Sequence, residues 1–372
     1  MAVAGLNRAP RVLVLGAVLG QPMGGVRRHN AEILPRAARL LAERGGALAV
    51  LAGREPPAFD LPGVEVLPGS TPARPVVLRA ALEARECARA LREAERAGRP
   101  FDLVHTAHLP PPDCQVPLTV LAHDLRGLDP RVSTMPRRLA ARTAYARAKR
   151  RAALWMVVSE AVGRDIADLL AVPPERIHLV GNGGDHFAPL PRAAAAGAPI
   201  LVVGHVERRK NLEVVLRALA VDPALPRLVV HGAAKDGEDQ RLSALARQLG
   251  VDGRVEWRGV AAESELPGLH AAAGVVCVPS FVEGFSLVAL EAQLAEAPLC
   301  VADIPALAEI APLAGRFAPE DAEACARALR AELARPPRDL REARRRAAPR
   351  TWDACAERLV EGWTRAVAPG PA

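Results

Sequence analysis

The stretch Val278–Pro298 reads VPSFVEGFSLVALEAQLAEAP. Its three charged residues are all glutamates, Glu283, Glu291 and Glu296. Glu296 falls at the end of the helical pattern, where a carboxylate meets solvent. Glu283 and Glu291 stand among apolar neighbours, with Leu287, Leu290 and Leu294 around Glu291 at helical spacing. Val275–Val278 is a short, continuously apolar run, the pattern of a strand covered on both faces. Ser286 is a natural N-cap for a helix over Leu287–Ala295. Gly284 permits close backbone approach, and the free N–H groups of the helix start attract an anion. Glu291 then lies roughly 7–8 Å along the axis from Ser286, at about 1.5 Å per residue. A phosphate at the helix start would have a carboxylate on each side. Carboxylates accept hydrogen bonds from vicinal hydroxyls, so the layout suits a nucleotide sugar, with hexose and ribose flanking a diphosphate.

Outward from this stretch the chain alternates. Strand-length apolar runs recur at Val12–Leu15, Ala47–Leu51, Leu103–His105, Leu118–Ala122, Trp155–Val158 and Ile177–Val180. They resume at Ile200–Val203, Leu228–Val230, Val255–Trp257, Val275–Val278 and Leu299–Val301, with Ala/Leu/Arg-rich helical segments between. This predicts α/β doubly wound parallel sheets. The 372 residues suit two domains. The aperiodic PLPRAAAAGAP (Pro189–Pro199) separates them. The expected organisation is a first domain over 1–190, a second over 191–349, and a C-terminal helix over 350–372. In that helix Trp352, Cys355, Leu359 and Trp363 form an apolar stripe.

Composition narrows the function. The net charge of +7 is uneven, because residues 1–190 carry 26 basic against 18 acidic side chains. A basic half attracts acidic ligands or a membrane surface, or is simply solvated. Aromatics are only 3% and the arginines are dispersed, which argues against nucleic acid. The six cysteines show no C-x-x-C or zinc spacing, and a reducing cytoplasm fits them. No apolar run reaches the roughly 18 residues of a membrane span.

Other motifs sit at expected strand ends. GQPMGGVRRH (Gly20–His29) is a glycine loop opening a helix near Val26, either an anion site or an ordinary turn. Pro35 inside that helix predicts a kink. His123-Asp124 follows a strand; the histidine can bond a sugar hydroxyl and Asp124 can orient its ring, or the histidine is a satisfied loop residue. VGNGGDHF (Val180–Phe187) reads as a hinge or a site. In VGHVERRKNLEVVLRAL (Val203–Leu219), Arg208, Arg209 and Lys210 lie before a helix that Asn211 would cap. Such a trio suits a diphosphate or is a solvated basic turn.

The glutamates of EGFSLVALE, seven residues apart after a strand ending in PS, resemble the signature of family 4 retaining glycosyltransferases of the GT-B fold. MGGVRRHNAEI, AHDLRGLD, VVSEAVGRDI, VGNGGDHF, VGHVERRKNLEVVLRAL and ADIPALAEIAP resemble that family's segments in its order. The resemblance implies two Rossmann-like domains facing across a cleft. It implies that Glu283 holds donor-sugar hydroxyls, Glu291 holds the ribose, and Gly284, Phe285 and Ser286 offer N–H groups. It gives Arg209 and Lys210 the departing diphosphate, His123 the transferred sugar, and Gly24 and Gly25 the border of donor phosphate and acceptor. His205 stands where many members carry arginine. The implied reaction is retaining transfer from a nucleoside-diphosphate sugar, UDP- or GDP-linked, to a hydroxyl acceptor. No cofactor or metal is expected, and no D-x-D occurs. Peripheral contact with an anionic membrane is expected through the basic first domain, whose segment Met135–Arg151 has seven basic residues. Alternatives are an epimerase or hydrolase on the same fold, or a non-catalytic sugar-nucleotide binder. A glycosidase fits poorly, since its carboxylates must flank the scissile bond. A dehydrogenase lacks its glycine fingerprint and a P-loop lacks its lysine. A metal site on His105, His108 and His123 is a remote reading.

Overall fold

The computed structural model describes residues 8–21 and 24–368. The chain divides into two compact units. The first comprises residues 1–128, 135–183 and 351–372, and the second 129–134 and 184–350.

The first unit holds β1 (Arg11–Gly16), β2 (Ala47–Ala52), β3 (Glu65–Leu67), β4 (Leu103–Thr106), β5 (Leu118–Ala122), β6 (Leu154–Val157) and β7 (Ile177–Leu179). They form one parallel sheet in the order β3-β2-β1-β4-β5-β6-β7. Its helices are α1 (Gly25–Glu43), α2 (Val76–Arg96), α3 (Met135–Arg151) and α4 (Glu160–Leu170). Pro35 lies within α1, which runs on through it. Strands β1, β2, β4, β5 and β6 are almost wholly buried, as their continuous apolar runs require.

The second unit holds β8 (Ile200–Val203), β9 (Leu228–His231), β10 (Val255–Trp257), β11 (Val275–Val278), β12 (Leu299–Ala302) and β13 (Gly315–Phe317). Their order is β10-β9-β8-β11-β12-β13, again parallel. Around them lie α5 (Leu212–Val221), α6 (Glu238–Gln248), α7 (Leu266–Ala272), α8 (Leu287–Leu294), α9 (Pro305–Ile310), α10 (Ala322–Leu333) and α11 (Pro337–Ala347). The last helix, α12 (Trp352–Val367), belongs to the first unit and packs on α1. Trp352, Cys355, Leu359 and Trp363 are its buried stripe.

Strands β3 and β13 do not stand out as apolar runs. Both are three-residue edge strands carrying exposed or half-exposed side chains, so burial does not dictate their composition. The units divide at Gly183–Gly184, ahead of the aperiodic stretch. Phe187 and His186 explain the difference, because the Phe187 side chain joins the hydrophobic core of the second unit and His186 bonds Glu291 there, while the Arg192 guanidinium donates to the carbonyls of His270 and Ala273 further along. The segment 129–134 also joins that unit, where the Arg131 guanidinium lies 5.4 Å from the Phe281 ring centre.

Candidate active site

In each sheet the strand order reverses beside the first strand of the unit, between β1 and β4 and between β8 and β11. Ligands of open parallel sheets bind at the carboxyl ends of the strands at such a point. In the second unit the loops that meet there are Gly204–Asn211, after β8, and Pro279–Ser286, after β11. They are stitched together by backbone: Phe281 N donates to Arg209 O at 2.9 Å. The Asn211 amide donates to Pro279 O at 3.0 Å and Pro319 O at 2.7 Å. This corrects the expected cap. Asn211 stands at φ 50°, makes no side-chain cap to α5, and staples loops instead.

This stitching places Glu283 between two cations. Lys210 Nζ donates to Glu283 Oε1 at 2.7 Å, and Arg209 Nη1 lies 3.1 Å from Oε2. Ser280 Oγ adds a hydrogen bond at 2.8 Å. All three charged side chains are nearly buried. Burial pushes the Glu283 carboxyl upward, but Lys210 and then Arg209 outweigh it and hold the group at about 2. Glu283 is therefore an ionised, acceptor-only group that selects hydroxyl or N–H donors. Arg209 also donates to Val282 O and to Glu207, which sequence reasoning overlooked. Arg208 is exposed, so only two of the basic trio face the site. His205 is held below its ordinary value by burial, then by Lys235, and is neutral at pH 7.

Ser286 caps α8: its hydroxyl accepts from Ala289 N at 3.4 Å. Phe285 is buried and Ser286 takes φ 74°. Glu291, on α8, is buried and meets His186, whose Nε2 is 3.1 Å from Oε1. Buried His270 lies nearby, kept neutral chiefly by burial, with the Glu291 charge opposing that shift. Ala289, Ala292 and Ala295 join the core of the unit and Leu294 packs against it, while Leu290 and Leu294 also cover the turn at Gly184. A Cβ on Gly184 would stand 2.6 Å from Leu294 Cδ1, and one on Gly183 would stand 2.3 Å from Trp352 N. The glycines of VGNGGDHF thus serve close packing, and the motif delivers His186 to Glu291 and Asn182 to the first unit. Gly232 is likewise a packing glycine, because its Cβ would fall 1.8 Å from Gly204 O.

In the first unit His123 follows β5. Its Nε2 is covered and without a hydrogen-bond partner. Burial, then His29 and Arg126, hold its pKa well below the ordinary value, so the ring is neutral. Asp124 does not orient it, since that carboxylate accepts from Arg126 N at 3.1 Å instead. The neighbour of His123 is His29, with ring centres 5.0 Å apart. His29 is fixed by Asn182 at 2.6 Å and lowered by burial to about 4. Gly24 precedes α1 at φ 52° and Gly25 is its first residue. Helix α1 has no side-chain cap and no acidic residue in its first turn, so its N–H groups suit an anion. The motif residues Pro22 and Met23 lie outside the described residues. His105 bonds Thr119 and His108 bonds Glu83. Among the described residues no group of three or more His, Cys, Asp or Glu is arranged for a metal.

Two family profiles match: "Glycosyltransferase Family 4" over residues 23–186 and "Glycosyl transferases group 1" over residues 196–351. Among curated proteins, the chain is 31% identical over 223 residues to D-inositol 3-phosphate glycosyltransferase of Mycobacterium avium, covering 55% of this chain and 53% of that one. The Nocardia farcinica protein of the same name is 35% identical over 162 residues, 39% of this chain and 36% of that one. The match thus spans about half the length of these curated relatives or less. Anabaena Alr3699/HepE, solved in complex with UDP, superposes with TM-score 0.66 at 20% identity, over 94% of this chain and 98% of that one. Sucrose-phosphate synthase of Thermosynechococcus elongatus gives 0.70 at 20% identity over the same shares. The two doubly wound units therefore have the fold of GT-B enzymes.

Proposed function

We propose that this chain, which belongs to the family 4, group 1 glycosyltransferases, transfers a sugar from a nucleoside-diphosphate sugar to a hydroxyl acceptor, with retention and without a metal. The observation that carries the reading is Glu283, ionised and held by Lys210 and Arg209 beside the start of α8. An acceptor-only carboxylate takes hydroxyls of the donor sugar. The two cations and the N–H groups of Gly284, Phe285 and Ser286 take the diphosphate.

In the proposed step the bond between the anomeric carbon and the diphosphate oxygen breaks as the acceptor oxygen bonds to the same face. The acceptor proton passes to the departing diphosphate. Negative charge grows on the leaving group, and fixed cations stabilise it more in the transition state than in the ground state. With His205 neutral, this work falls on Arg209 and Lys210. Glu291 takes the ribose. His123 is the candidate of the first unit for the transferred sugar, and its covered, unpartnered Nε2 supports that role. UDP-linked donors come first, because Anabaena Alr3699/HepE was solved with UDP and with UDP-glucose.

An anionic acceptor suits the charge excess of residues 1–190, and the curated relatives are named for inositol 3-phosphate. Thermal shift against a panel of UDP-, GDP- and ADP-sugars identifies the donor, since a ligand of the native state raises apparent stability. Release of nucleoside diphosphate is then followed with and without acceptors, inositol 3-phosphate among them. Acceptor-dependent release is expected. Equal release without any acceptor, or an epimerised donor, overturns the assignment.

A further inference from the structure

His186 lies two residues past the point where the chain enters the second unit. The turn that carries it is fixed on both sides. Gly184 N donates to Arg350 O at 2.8 Å and Phe187 N to Gly184 O at 3.0 Å. Gly184 is pressed on Leu290 and Leu294, the residues that flank Glu291 on α8. The Phe187 ring rests 5.3 Å from that of His270. The turn presents His186 to α8, where its Nε2 meets Glu291 Oε1 at 3.1 Å with both side chains under a tenth exposed. A carboxylate only accepts, so Nε2 carries the proton of this bond. Among the described residues Glu291 Oε2 has no hydrogen bond. One oxygen is tied back and the other is left to a ligand.

We propose that His186 is a positioning residue for Glu291. By holding Oε1 it fixes the carboxylate plane and presents Oε2 to the 2′- and 3′-hydroxyls of the donor ribose, and so sets the preference for ribo- over 2′-deoxyribonucleotides. The inference rests on the reading of Glu291 as the ribose carboxylate. A buried carboxylate that loses its hydrogen bond can turn to other partners, and a site built to bond a hydroxyl discriminates only while its acceptor is aimed.

The test is calorimetric titration of the full chain with UDP and GDP, each against its 2′-deoxy form, using the base that binds. A hydrogen bond to a charged group is worth roughly 10- to 100-fold in affinity, so wild type should prefer the ribo form by about that factor. His186→Phe keeps a ring in the turn without a donor and should bring the ratio within about 3-fold, while His186→Gln, whose amide can donate, should restore it. A merely structural role would weaken both nucleotides alike and leave the ratio unchanged. Glu291→Ala separates the two readings. If it leaves the ratio of wild type intact, the ribose assignment fails; if it collapses the ratio while His186→Phe preserves it, the positioning role of His186 is overturned.

Discussion

Replacing Glu283 by glutamine removes one charge and keeps the shape. The native carboxyl stands at about 2 against an ordinary 4.5. A tenfold change in proton affinity corresponds to about 1.4 kcal/mol, so ionised Glu283 contributes on the order of 3 kcal/mol at pH 7. The side chain is only 9% exposed, so solvent screens this little. Breaking a buried pair by removing one partner costs a similar roughly 3–5 kcal/mol. The folded-state value is depressed, so the stabilisation is complete above about pH 4.5 and fades as pH falls toward 2, leaving about 1.4 kcal/mol at pH 3. Glu283→Gln should therefore lower the melting temperature of the second unit by roughly 6–12 °C at pH 7. The deficit should shrink to less than half of that at pH 3. Scanning calorimetry of both proteins across this range reads the effect, and the other carboxylates, present in both, cancel in the difference. A deficit that is the same at pH 7 and pH 3, or below about 0.5 kcal/mol at pH 7, would refute the ion-pair account of Glu283.

Other consequences follow from the same geometry. Glu283→Ala should cut transfer by about 100-fold or more while circular dichroism stays native; near-wild-type turnover would contradict its contact with the donor. Lys210→Met should lower kcat by roughly 100-fold if Lys210 has the role proposed for it, because one of the two cations assigned to the leaving diphosphate is lost. In urea titrations Gly184→Ala should cost about 1–3 kcal/mol, since the three atoms nearest its Cβ belong to leucine side chains that can shift. Gly183→Ala should cost more, as it meets the backbone of Thr351 and Trp352. Helix α3 carries seven basic residues, and Met135 and Leu139 on it are exposed. We expect co-sedimentation with liposomes to rise with anionic lipid content; binding indifferent to that content would remove the membrane role.

What the sequence determined by itself was local. Continuous apolar runs placed most strands within a residue, because a strand buried on both faces admits little else. Ser286 marked the start of α8 by its hydroxyl, and the stripe of α12 marked its buried face. The same signal fails at β3 and β13, whose edge positions demand no apolar run. Asn211 had the composition of a cap, but its amide is drawn to the carbonyls of Pro279 and Pro319, partners that no local pattern announces.

The candidate site was legible as a set of residue types, not as an arrangement. That Lys210 and Arg209 close on Glu283, 73 or more positions away, follows from β8 pairing with β11, which only the order of strands in the sheet decides. That Glu291 is tied to His186, 105 positions away, follows from the packing of α8 on the Gly184 turn. The sequence explained why a carboxylate can sit among leucines. The tertiary structure chose its partner, because the partner of a buried charge is set by which loops the sheet brings together.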